Sequence, residues 1–553
     1  MSVPDAAAPA PGGDRKGVID RVVAAARAGD LALASRLAIA GLESGVEHPL
    51  LLNLRALDHE EAGRLEESLK DLRRAHLLAP KDYGILNASG LCLGRMNRPE
   101  EAVHCFEQAI ALQPAFGPAW FNRGWALEQL GRSGEAATCY EKAVELTPEN
   151  AQAWANLALL AVKRGDGDGA RVNAARALAL EPGLPSAELA LAQAEMADPP
   201  VAERRLRALL VRPLGAYDKA LAHGLLADAL DAQGRYPEAF KAYSQSNAAF
   251  QAEARPRFEG PGQATIPDTL EWLLRWAEWL DGRRWTAPPA GARPRGRGAG
   301  EQSHVFLMGF PRSGTTLAET VLLNHPKVVS LEERNTLYAG VLDFLGDERA
   351  LSRLETLSDR DLDRYRDDYW ARVKAFGVDS DGKIFIDKNP FHTLKLPLIY
   401  KLFPDARIIF AIRDPRDVVL SCFRRRFILN ASTFELLDLK RAANYYAQSM
   451  RFADMLRFKQ PMAQYRLVYE RLVADLPGVA RATCEFIGAD WNDDLLDIAS
   501  RARRGEVSSA SSAQIARGLF SDGAGQWRRY RNDLAPVLPI LAPWVERFGY
   551  PPN

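Results

Sequence analysis

The sequence carries no excess of either charge. Its 553 residues include 71 Lys+Arg and 71 Asp+Glu, so the formal net charge is zero. A general polyanion binder usually carries a strong basic excess, so nucleic acid is not an expected partner, although a local basic pocket is still allowed. Long apolar runs are missing too: no stretch approaches the roughly 18–20 apolar residues of a membrane span. The N-terminus, Met1 to Gly13, has no charged region followed by an apolar one and reads as a frayed Ala/Pro/Gly tail, not a signal peptide. Cysteine is sparse. Cys92, Cys105, Cys139, Cys422 and Cys484 form no CxxC and fit reduced thiols of a cytoplasmic protein. The eight histidines show no HxH or HxxxH spacing, so no protein-held metal is expected.

What is present, first, is a period. Pro80, Pro114, Pro148 and Pro182 follow one another at 34-residue intervals. Over 117–150, Trp120, Gly124, Ala136, Tyr140, Ala143 and Pro148 set a pattern that 83–116 repeats with Leu86, Gly90, Ala102, Phe106, Ala109 and Pro114. Copies follow at 49–82 and 151–184, with weaker ones at 15–48 and 220–253 on either side of an irregular stretch at 185–219. Small residues at the Gly124 and Ala136 positions would let two antiparallel helices approach. Large ones at the Trp120 and Tyr140 positions would fill the gap, and proline would close the second helix. The pattern resembles the tetratricopeptide repeat. That resemblance implies an all-α solenoid over 15–253 that presents a face to a protein or peptide partner or acceptor; a purely structural or dimerising array is the alternative.

Beyond the repeats, Ile266 to Trp285 reads as one amphipathic helix. A Pro/Gly/Arg linker, Ala287 to Gly300, follows. The expected layout is a tail over 1–14, repeats over 15–253, helix and linker over 254–301, and a second domain over 302–553.

That second domain opens differently. His304-Val-Phe-Leu-Met reads as a buried parallel strand, running into Gly309-Phe-Pro-Arg-Ser-Gly-Thr-Thr316 and then a helix. Strand, glycine loop and helix aim backbone N–H groups at an anion. The spacing mimics the nucleotide-triphosphate loop, but Thr315 stands where that loop has its lysine and the cation, Arg312, lies inside. A Mg²⁺-ATP enzyme would lose its phosphate clamp by this change. A second strand, Ala406 to Ile412, ends at Arg413. Ser421 follows eight residues on, about two helical turns, so both could reach one phosphate.

PRSGTT with a later R-D-P-R-D-x-x-x-S resembles the sulfotransferase family, and among its members most resembles the tyrosylprotein and glycan enzymes. The resemblance covers about 300–553 and implies an α/β domain on a parallel sheet. It also implies 3′-phosphoadenosine 5′-phosphosulfate (PAPS) as co-substrate, with no metal. It assigns Arg312, Ser313, Gly314, Thr315 and Thr316 to the 5′-phosphosulfate and Arg413 and Ser421 to the 3′-phosphate. In Val328 to Arg334, it makes Glu333 the base and Glu332 structural. The two carboxylates should face opposite sides of a strand. Lys388, after the strand Lys383 to Asp387, would contact the transferring group, and His392 is a rival base. His325 reads as structural. Tyr469 would lie near the adenine and 3′-phosphate side. Ser511 and Arg517, in a hydroxyl-rich segment, would face the sulfonate and the 3′-phosphate, and Trp527 would stack or pack. Arg424-Arg425-Arg426 reads as a solvated face or an acidic-acceptor site.

The reading is a PAPS-dependent sulfotransferase acting on a hydroxyl, such as a protein or peptide tyrosine. A glycan, lipid or small metabolite acceptor fits the same residues. A non-catalytic repeat scaffold with a degenerate nucleotide fold is the rival from another class, and a nucleotide kinase a third.

Overall fold

The 34-residue period becomes a series of antiparallel helix pairs. In a computed structural model of the chain, which describes residues 15–280, 302–459, 462–497 and 523–552, the first pair is Arg15–Arg27 with Leu31–Glu43. Pairs follow at Pro49–Glu61 and Leu65–Leu78, Tyr83–Arg95 and Pro99–Leu112, Gly117–Gln129 and Ser133–Leu146, and Ala151–Lys163 and Gly167–Leu180. Gly29, Gly63, Asn97, Gly131 and Gly165 turn these pairs, with φ of 78°, 75°, 58°, 72° and 79°. Left-handed backbone of this kind favours glycine, and asparagine next.

Inside a pair, the close approach is steric. A Cβ on Gly124 would stand 2.8 Å from the Tyr140 ring, and one on Gly90 would stand 2.5 Å from Phe106. The indole N–H groups of Trp120 and Trp154 donate to the Pro114 and Pro148 carbonyls, at 2.9 Å each, so the repeat joints share a bond as well as a spacing. The stretch 185–219, expected to be irregular, instead holds two helices, Pro185–Ala194 and Pro199–Leu210. They are short, and Glu188 and Ala208 replace the large residues at the Trp120 and Tyr140 positions, so the pattern hid them.

By packing, the chain divides into two compact units, Met1–Val201 and Ala202–Asn553. The second contains the helix pair Ala216–Ala232 and Tyr236–Phe258, the amphipathic helix Ile266–Trp279, and the sheet. Among the described residues, no helix is long and apolar enough to cross a membrane.

Among the described residues the sheet has five strands: β1 (Ser303–Met308), β2 (Val328–Glu332), β3 (Ile384–Lys388), β4 (Arg407–Ile412) and β5 (Gln464–Val468). Their order is β2-β3-β1-β4-β5, and all pairings are parallel. β1 and β3 are buried along their whole length, as continuous apolar runs in a sheet covered on both faces should be. Val305, Leu307, Ile384, Ile386 and Ile409 form the core with Val321 and Leu322 of the helix Thr315–Leu322. The strand order reverses around β1, so the carboxyl ends of β1, β3 and β4 meet at the switch point where open α/β sheets bind ligands.

Replacing Gly124 with leucine should overpack the Tyr140 contact and lower stability by about 1–3 kcal/mol. Denaturant titration of the full chain measures it; an unchanged midpoint would mean the helices do not need that approach.

Candidate active site

Every strand exit at the switch point carries a polar side chain. β1 runs into Gly309-Phe-Pro-Arg-Ser-Gly314, which hands over to the helix Thr315–Leu322. A Cβ on Gly309 would collide with the Ala411 carbonyl oxygen, and one on Gly314 (φ 101°) would lie 2.8 Å from the Tyr469 ring. Arg312 takes a left-handed conformation, φ 71°, which costs a non-glycine residue about 1–2 kcal/mol. Ser313 Oγ is buried and has no hydrogen-bond partner. Such an orphan hydroxyl inside a glycine loop fits an anion's oxygen.

Beside the loop lies a cluster of guanidiniums. Arg413, at the exit of β4, donates through Nη1 to the Arg312 carbonyl at 3.1 Å and through Nη2 to the Gly523 carbonyl. It also stacks on Tyr469 at 4.7 Å from the ring centre, and its Nε is buried without a partner. Arg312 reaches across from the loop, its Nε donating to Ser421 Oγ at 3.0 Å. Burial, helped by the charges of Arg425 and Arg413, pushes the Arg312 guanidinium down to about 10. The acids nearby are engaged in the scaffold. Asp417 accepts from the Gly525 and Trp527 amides, and Asp414 pairs with Arg416 at 2.7 Å. Trp527 is buried, with Arg416 stacked on it at 3.9 Å, so it packs.

The helix Pro415–Arg424, which carries Ser421, is held from outside the sheet. Arg424 pairs with Asp231 and Arg426 with Asp228, both at 2.7 Å, and Tyr530 donates to Asp231 as well. Asn247 Nδ2 donates to the Phe423 carbonyl at 2.8 Å, capping the helix's last turn, and Phe240 stacks on Phe423. The arginine run is therefore not a solvated face. Its partners come from the helix pair Ala216–Ala232 and Tyr236–Phe258, about 190 residues upstream.

On the other side of β1, β3 ends in Lys388, with no exposed side-chain surface. Its Nζ lies 3.0 Å from Glu333 Oε1 and 3.0 Å from Glu319 Oε2. Burial alone would lower the ammonium's pKa, but the two carboxylates outweigh it and raise it. Glu333 is 47% exposed, facing outward as well as toward the lysine. The strand expected to carry both carboxylates ends at Glu332. Glu333 sits in a left-handed turn, φ 43°, with its amide donating to the Lys388 carbonyl at 2.8 Å. A turn, not the pleat, separates it from Glu332.

The opposite pleat face at Asp387 is structural. Asp387 accepts from Thr336 at 2.7 Å and Tyr369 at 2.9 Å, and lies 2.9 Å from His392 Nε2. His392 is 0% exposed and burial lowers its pKa, so it cannot meet an acceptor without unpacking. His325 Nδ1 accepts from the Lys327 amide in the turn before β2. Thr315 and Thr316 open the loop helix, and Tyr469 opens a short helix, Tyr469–Ala474. Ser511 and Arg517 lie outside the described residues.

Sequence reasoning missed Glu319 and the place of Arg425. Glu319 was visible as the single charge in the apolar loop helix TTLAETVL. Arg425 follows Ser421 by four residues, just past the end of the helix Pro415–Arg424.

Residues 304–493 match the Sulfotransferase family, and residues 83–116, 117–150, 139–171 and 187–254 match the Tetratricopeptide repeat. Two of those repeat matches fall on the register set by the prolines. An uncharacterized protein of Aquifex aeolicus (strain VF5) is 28% identical over 267 residues, covering 46% of this chain and 34% of its own length. Protein-tyrosine sulfotransferase A of Caenorhabditis elegans is 24% identical over 261 residues, 45% of this chain and 67% of that protein. Among solved structures, the type IV pilus biogenesis factor PilW shares 22% identity at a TM-score of 0.33, covering 36% of this chain and 93% of that one. The match with the Aquifex protein thus spans about a third of that relative's length.

Replacing Asp231 with alanine should strand Arg424 and remove the Tyr530 bond, costing about 2–3 kcal/mol. Chemical denaturation of the full chain tests this, and a loss below about 0.5 kcal/mol would mark the contact as a surface pair.

Proposed function

We propose, from a sulfotransferase-family domain following tetratricopeptide repeats, that this chain is a PAPS-dependent sulfotransferase acting on a hydroxyl. The observation that carries the reading is the joint presence, at one sheet edge, of a buried arginine cluster beside a glycine loop and a buried lysine paired with a half-exposed glutamate. The chain's own groups fit the donor. Ser313 Oγ and Arg413 Nε are buried with no partner, and Gly309 and Gly314 let the loop lie closer to β4 and Tyr469 than any side chain would allow.

PAPS, when bound, supplies a sulfuryl group already attached to a phosphate leaving group. In this reading the loop amides, Ser313, Thr315 and Thr316 hold the phosphosulfate, while Arg413, Ser421 and Tyr469 hold the 3′-phosphate and adenine side. Arg312 lies between the two, its backbone in the loop and its side chain on Ser421. Glu333 takes the acceptor's proton as its oxygen forms the new O–S bond. The old S–O bond breaks with its electron pair going to the bisphosphate, and Lys388 and Arg312 stabilise the charge that grows there. Ser511 and Arg517 are assigned to the sulfonate and the 3′-phosphate from the sequence resemblance alone. A protein or peptide tyrosine is the preferred acceptor, supported by the distant protein-tyrosine sulfotransferases. The repeats would present a partner or the acceptor itself.

Full-length protein incubated with PAPS, EDTA and a panel of peptide, glycan and small hydroxyl acceptors should release adenosine 3′,5′-bisphosphate. No release with any acceptor would sink the reading. Arg413→Ala should weaken bisphosphate binding about 10- to 100-fold by calorimetry; unaltered affinity would remove it from the donor site. Glu333→Gln should lower kcat by about 10²- to 10⁴-fold with little change in donor KM.

A further inference from the structure

One buried acid has no role in the chemistry above. Glu319, in the middle of the loop helix Thr315–Leu322, is 1% exposed, yet it faces the reacting side of the sheet. Its Oε2 lies 3.0 Å from Lys388 Nζ, and its Oε1 accepts from Ser330 Oγ of β2 at 2.5 Å. Lys388 is thus shared between a carboxylate that solvent can reach, Glu333, and one that it cannot.

We infer that Glu319 is a positioning residue for Lys388, a standing counter-ion that keeps the ammonium fixed and balanced while Glu333 changes its charge. This role rests on the sulfotransferase reading and on the cost of an unpaired charge in the interior. When Glu333 gains the acceptor's proton, its pull on Lys388 disappears. A fully buried ammonium with no other partner would then be uncompensated. With Glu319 ionised, the ion pair Lys388–Glu319 remains neutral as a unit, and Nζ keeps one buried counter-ion while its N–H donors turn to the transferring group.

The groups facing Glu319 are Lys388 from β3, and Ser330 and Glu332 from β2. Burial pushes its carboxyl up, the pull of Lys388 and the Ser330 bond draws it down, Glu332 raises it, and the result is about 7. The role needs the ionised form, so turnover should rise as pH increases through that region. Because Ser330 lowers the midpoint, Ser330→Ala should move it to higher pH. Glu332→Gln removes a like charge and should move it to lower pH.

The test uses the full chain in two measurements. Infrared pH titration without donor should show one buried carboxylic acid ionising near neutrality, absent in Glu319→Gln. Bisphosphate release from PAPS, with the acceptor that best supports wild-type turnover, should fall by about 10²-fold in kcat for Glu319→Gln. The donor's KM should change far less, and the rise near pH 7 should vanish. Glu319→Asp should recover part of kcat. If Glu319→Gln fails to fold, the opposite midpoint shifts of Ser330→Ala and Glu332→Gln decide the matter. Wild-type turnover with an unchanged Glu319→Gln profile, or midpoints that ignore both β2 variants, would overturn the inference alone. A wild-type chain that releases no bisphosphate overturns the sulfotransferase reading, and the positioning role of Glu319 with it.

Discussion

Five strands running in one direction leave the sheet along one edge, and the polar chemistry of the second unit depends on that constraint. Parallel pairing sets Leu307 and Glu332 beside Lys388, and Ile412 beside Val468. Arg312, Glu333, Lys388, Arg413 and Tyr469 come from five different strand exits, spread over more than 150 residues of sequence. No helix packing or loop closure has to gather them.

That edge carries two electrostatic environments separated by the strand between them. On the β4 side, buried guanidiniums crowd one another while the local acids hold backbone amides and Arg416. On the β3 side, a single buried cation is already matched by two carboxylates. The charge there is balanced, not in excess. The neutral composition of the chain hides this division, since both sets average away over 553 residues.

Much of this was legible in the sequence because it depends on local spacing. The helix pairs follow from small and large residues repeated every 34 positions, and the strands β1, β3 and β4 from short apolar runs. What was not legible depends on parity, backbone hand or distance. His392 and Lys388 lie four residues apart, yet His392 joins Asp387 on the face away from the lysine. No composition rule announces that pleat. The left-handed turn at Glu333 breaks the alternation its neighbours obey. Arg424 looks solvated because its partner, Asp231, lies 193 residues before it. Ser511 and Arg517 fall outside the described residues, so their reading stays where the sequence left it.

The helix pair Ala216–Ala232 and Tyr236–Phe258 has repeat-like spacing but the loyalties of the other unit. Asp228, Asp231, Tyr243 and Asn247 all answer groups on or beside the helix that bears Ser421. For the evolution of such a chain, this makes the repeats unequal as cassettes. The copies before Val201 belong to the first compact unit. The final copy is inherited with the fold it braces, and a crossover placed in the Pro/Gly/Arg stretch would deliver a sheet whose arginines arrive without their acids.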